Sequence, residues 1–185
     1  MAGLSPAEGR ALLALARSAL SEHLLQEGRD LDQFPPEHPF CRPAGAFVTL
    51  RLAGRLRGCI GQTQPAGPLY ETIVAMAVAA GCRDPRFSAV QAEDLAALEF
   101  EVSVLGALEA CGIDEIELGR DGLVVVAKGH RGLLLPEVAT TQQWTVQQFV
   151  EHTCMKAGLP YDAVPLQADL YRFRTQHFSE QDPSV

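Results

Sequence analysis

Residues 46–61 read AFVTLRLAGRLRGCIG, and the way this stretch doubles back decides the architecture. Ala46 to Leu52 alternates in apolar character, Ala53-Gly54 is a turn signal, and Arg55 to Ile60 returns as a second strand. The hairpin closes on Leu56-Arg57-Gly58-Cys59-Ile60-Gly61. Farther along, residues 98–105 (LEFEVSVL) alternate strictly. Phe100, Val102 and Val104 therefore face a core, while Glu99, Glu101 and Ser103 face the other way. Asp121-Gly122 reads as a turn before a buried strand over 123–127. Gly129-His130-Arg131-Gly132 is a hairpin tip, 133–135 the return strand, and 169–175 a late strand.

Helices fill the intervals. Ser5-Pro6-Ala7-Glu8 is a capping box with proline at the first helical position. Leu12, Leu13, Ala16, Leu20 and Leu24 follow at helical spacing, and Gly28 is the expected stop. Residues 29–45, with Pro35, Pro36, Pro39 and Pro43, predict an extended segment pinned by Phe34 and Phe40. Pro65 and Gly67 fall in a loop, and Pro68 opens a helix running to about Gly81. Thr145-Val146-Gln147-Gln148 is a second capping box. Its helix turns Phe149, Val150, Thr153, Cys154 and Ala157 to one side, and Trp144 before it has the place of a hydrophobic staple. Hairpins and helices alternate without a βαβ repeat, so the fold class is α+β: a largely antiparallel sheet with flanking helices.

The chain has 185 residues, 47% hydrophobic and 21% charged, which excludes general disorder and fits a single modest domain. Fifteen Lys+Arg against 23 Asp+Glu give a net charge of -8, which argues against a nucleic-acid or anionic-membrane partner. No apolar run approaches the ~20 residues of a membrane span, and the first residues lack a basic leader. Five cysteines, an odd number without CxxC spacing, predict free thiols in a reducing cytoplasm. The spacing of Cys and His points to no metal and no cofactor.

The candidate chemistry centres on Cys59. Gly58 and Gly61 flank the Cys-Ile pair and would let a ligand approach the backbone. In a regular strand Arg57 shares a face with Cys59, and a guanidinium there would favour the thiolate. The competing reading is a cysteine that packs as a small hydrophobe. Asp84-Pro85-Arg86-Phe87 is a turn in which Asp84 accepts backbone hydrogen bonds and Arg86 is either an anion clamp or a surface residue. Glu101 is a general base if its face lines a cleft, and a solvated sheet residue otherwise. Cys154 reads as core, and His130 and His152 as surface histidines.

These segments together resemble one family. Leu56 to Gly61, Asp84 to Phe87, Glu101 to Leu105, Leu135-Pro136-Glu137-Val138-Ala139, Trp144 and Cys154 to Leu159 stand in the order of the AMMECR domain, in its prokaryotic branch, AmmeMemoRadiSam system protein A. The resemblance covers about residues 8–178, and the chain is read as one domain over 6–178, leaving 1–5 and 179–185 as tails. It implies two unequal, intimately packed lobes with the signature hexapeptide near the cleft between them. It also implies Memo-type and radical S-adenosylmethionine partner proteins, but no defined reaction. Carried over by position, Arg57, Gly58, Cys59 and Gly61 match the signature, Arg86 the next block, and Glu137 the later strand-end motif. The expectation is a cysteine-containing cleft working with those partners. The alternative is a cysteine-dependent enzyme or thiol carrier for a small anionic molecule: Cys59 as nucleophile, Arg57 as activator, Arg86 as clamp, Glu101 or Glu137 for the proton.

Overall fold

Ser5 caps helix α1 (Pro6–Leu25) by accepting from the Glu8 amide, and the Glu8 carboxylate reaches back to the Ser5 amide, as its sequence requires. The computed structural model describes residues 3–26, 34–64, 66–127 and 129–182. The expected stop at Gly28, residues 29–33 of the proline-rich segment, and Pro65 lie outside the described residues. Helix α1 ends with Gln26 in a left-handed conformation. Phe40, 1% exposed, and Phe34 meet edge-on at 5.2 Å and anchor the described part of the proline-rich segment.

The chain divides into two compact units, Met1–Val104 with Gln176–Val185, and Leu105–Thr175. In the first, β1 (Ala46–Leu52) lies between β2 (Arg55–Gln62) and β3 (Leu98–Leu105), antiparallel to both. Ala53 and Gly54 both have positive φ, which suits a two-residue hairpin turn. One face of this sheet carries Val48, Leu50, Phe100 and Val102, all fully buried beneath α1 and α2 (Leu69–Cys82). The alternation of residues 98–105 is reproduced residue by residue.

In the second unit, β5 (Asp121–Ala127) pairs antiparallel with β6 (His130–Leu134) and with β7 (Asp169–Ser179), which also pairs with β4 (Glu109–Ala110). Leu123, Val125 and Leu170 on these strands pack with Phe149, Val150 and Cys154 of α4 (Val146–Lys156). Thr145 caps α4 with the expected reciprocal bonds to Gln148. Every strand pair described is antiparallel, and the fold is α+β.

Several boundaries differ from the sequence reading. Asp121 and Gly122 are already strand, paired with Arg174 and Phe173; the Phe173 ring lies 2.3 Å from where a Cβ on Gly122 would stand. That glycine serves close packing, not a turn. The return strand β6 starts earlier, at His130. Pro136 is the first residue of a short helix, α3 (Pro136–Thr141), not a strand end. Strand β7 runs on to Ser179, and its last residues join the first unit, where Phe178 packs over Gly9 of α1.

Candidate thiol site on the first-unit sheet

The register of the three strands sets Cys59, Thr49 and Glu101 side by side across the face opposite the core. All three are half-buried. Thr49 Oγ1 donates to Cys59 Sγ at 3.2 Å. Arg51, two residues along β1 and therefore on the same face, donates from Nε to Glu101 at 2.7 Å. The Glu101 hydrogen bond, followed by its charge, raises the Arg51 pKa further.

The backbone of Cys59 points off the open edge of β2, and the turn after α2 receives it. Asp84 Oδ2 accepts the Cys59 amide at 2.8 Å. Asp84 also accepts the Arg86 amide at 3.1 Å and Arg86 Nε at 2.9 Å on Oδ1, and Arg86 Nη2 at 2.7 Å on Oδ2. The same Nη2 donates to the Cys59 carbonyl at 3.1 Å. One carboxylate and one guanidinium thus stand in for a neighbouring strand, satisfying both backbone groups of Cys59. Asp84 is 5% exposed. Its hydrogen bonds from Arg86 outweigh burial and, with the two backbone amides, hold its carboxyl well below the usual carboxylate range. Arg86 keeps 55% of its side chain exposed, and among the described residues its Nη1 has no acceptor.

The remaining predicted residues are placed as follows. Opposite β1 the register slips between Leu50 and Arg51, so Gly58 faces Leu50, Leu56 faces Arg51, and Arg57 is the extra residue of a bulge. Its guanidinium donates to the carbonyls of Ser88 and Ala89, at 2.5 and 3.2 Å, and lies 4.0 Å from Asp94. A Cβ on Gly58 would stand 2.1 Å from the Ala80 carbonyl of α2, and one on Gly61 2.1 Å from the Phe47 ring. Both glycines are needed by their neighbours. Glu137 is exposed in the first turn of α3, in the second unit. Among the described residues no three His, Cys, Asp or Glu side chains group so as to hold a metal ion, and no helix is long and apolar enough to cross a membrane.

Sequence reasoning passed over Thr49 as the hydrogen-bond donor to the thiol and His177, whose Nδ1 lies 3.2 Å from Ser103 Oγ. The period-2 pattern of β1 contains the first signal; the second needs the last residues of β7, beyond the 169–175 that the sequence predicts as strand. In the second unit, His130 Nδ1 meets the Ala157 carbonyl at 3.2 Å. His152, expected at the surface, is half-buried with Trp144 stacked on it at 3.9 Å. Burial pushes up the thiols of the half-buried Cys82 and Cys111 and the buried Cys154, so these three are disfavoured as nucleophiles.

The class defined is an α+β protein that presents a half-buried thiol on the polar face of an antiparallel sheet. The AMMECR1 family model matches residues 13–178, and the chain belongs to that family. It is 42% identical to a protein of Methanothermobacter thermautotrophicus over 97% of both chains, and 39% identical to one of Methanosarcina acetivorans over 97% of this chain and 95% of the other. Among solved structures it is similar to uncharacterized protein PH0010 from Pyrococcus horikoshii, with a TM-score of 0.78 and 35% identity, over 95% of this chain and 92% of that one.

Proposed function

We propose that the Cys59 face of the first unit is the working site, a nucleophilic or carrier thiol that acts on a small anionic molecule. The observation that carries this reading is the set of groups converging on one cysteine. Thr49 donates to its sulfur, Arg86 and Asp84 fix its backbone, and Arg86 keeps Nη1 free beside it. Cys59 is the nucleophile or acceptor. Arg86 takes the cationic role that the strand period had offered to Arg57, and it clamps the anionic group of the substrate. When the thiolate attacks an electrophilic carbon, the C–S bond forms as the bond to the leaving group breaks. Glu101, one strand beyond Thr49 in the same cross-strand row and paired with Arg51, takes the thiol proton by way of the intervening Thr49 hydroxyl and returns it to the leaving group.

All five cysteines are free, which suits work in a reducing cytoplasm. The Memo-type and radical S-adenosylmethionine proteins implied by the resemblance are the partners that supply or consume the small molecule. Iodoacetamide labelling read by peptide mass spectrometry tests the thiol: Cys59 alkylates faster than glutathione and ahead of Cys82, Cys111 and Cys154. Alkylation no faster than glutathione, with every phenotype retained by Cys59→Ser, overturns it. Pull-down under reducing, anaerobic conditions tests the partners, and recovery of neither refutes that part.

A further inference from the structure

Among the described residues of the three strands β1, β2 and β3, the polar face of the first-unit sheet carries one phenyl ring. Phe47 precedes Thr49 by two residues on β1 and shares its face, while its neighbours Ala46 and Val48 are fully buried on the other. It stands outside the apolar core and is half-buried. Across the strand it faces Gly61, as Thr49 faces Cys59. Three of its ring atoms lie within 2.5 Å of where a Cβ on Gly61 would stand, so the ring rests on the glycine backbone. Gly61 and Cys59 are two residues apart on β2, a step of roughly 6.6 Å. That is about the span of one aromatic ring with a one-carbon arm. Beyond Cys59, on the side of the open strand edge, Arg86 holds out Nη1.

We infer that Phe47 is the floor of a subsite for a flat apolar group, and that the small molecule handled at Cys59 is an aromatic or similarly planar carboxylic acid. Its ring stacks on Phe47 and its carboxylate reaches Arg86. This rests on the reading of Cys59 as the working thiol and adds the chemical class of its ligand. A cross-strand Phe-Gly pair alone would serve packing; a ring paired this way next to a thiol and an exposed guanidinium also offers an apolar surface one step along the strand from a reactive atom and an anion contact around the corner at the strand edge.

The test compares three alkylating reagents on Cys59, each rate divided by that for glutathione: iodoacetamide, iodoacetate and α-bromophenylacetate. Each forms a C–S bond to the sulfur and releases halide. The aromatic acid is favoured over iodoacetate by about tenfold. Phe47→Leu removes this preference without altering the iodoacetate-to-iodoacetamide ratio, whereas Arg86→Gln lowers both anionic reagents relative to iodoacetamide. In the unaltered protein, phenylacetate protects Cys59 from iodoacetamide and acetate at the same concentration does not, a readout that stands even if Phe47→Leu fails to fold. Equal protection by the two acids, or a ring preference that survives Phe47→Leu, overturns the inference. Slow iodoacetamide labelling by itself sinks only the activated thiol, because the ligand class is read from ratios between reagents.

Discussion

The Asp84 carboxylate accepts the amide of Cys59 at 2.8 Å, across 25 residues of sequence, and in doing so fixes the strand that carries the thiol. The same carboxylate orients Arg86, so the position of the sulfur and of the nearby cation depends on one buried charge. Removing it strands two backbone groups and a guanidinium at a strand edge.

Asp84→Ala is therefore expected to destabilise the protein by about 2–3 kcal/mol, and Asp84→Asn, which keeps one acceptor, by about half as much. Urea denaturation at neutral pH measures both. A loss below about 0.5 kcal/mol for Asp84→Ala would show that the edge needs no such cap.

The pH dependence follows from the same group. The folded carboxyl titrates below its unfolded value, so its contribution is present above the unfolded pKa of about 4 and is lost as pH falls toward the folded one. Stability should drop steeply from about pH 4 downward, and Asp84→Asn should flatten that slope without changing it near neutrality. Thermal melts across the acid range decide it; parallel curves for the two proteins would contradict the assignment.

Glycines in the hairpin separate by their surroundings. Gly58→Ala drives a Cβ to 2.1 Å from a helix carbonyl, a backbone atom that cannot swing aside, and should cost about 3 kcal/mol or prevent folding. Gly54→Ala meets nothing within 4 Å but must keep a φ of +74°, and should cost about 1 kcal/mol. Melting temperatures of the two variants should rank in that order.

Thr49→Val preserves shape and removes the hydroxyl that donates to Cys59 Sγ. Losing that donor should slow alkylation of Cys59 by about three- to tenfold, with little change in fold. Competitive labelling against Cys41 in the same molecule provides an internal reference. An unchanged ratio would remove Thr49 from the site.

Much of the architecture was legible because its signals are local. Both capping boxes, the Ala53-Gly54 turn and the alternation of 98–105 involve residues within a few positions of one another, and each appears in the structure as read. Period two likewise brought Glu101 to the face opposite the core. It failed at Arg57, because a bulge inserts one residue opposite β1, and no local pattern announces a bulge.

The sequence by itself determined the principal strands and helices and which side of each meets the core, though not α3 or the ends of β5, β6 and β7, because burying apolar side chains at periods of 2 and 3.6 leaves little choice. Tertiary structure alone decided what surrounds the thiol. Asp84 reaches Cys59 only once α2 lies along β2, Thr49 meets the sulfur only through strand register, and Phe47 covers Gly61 only because a neighbouring strand brings it there. Such contacts form between segments far apart in the chain, and the residues that make them carry no periodic mark of their destination.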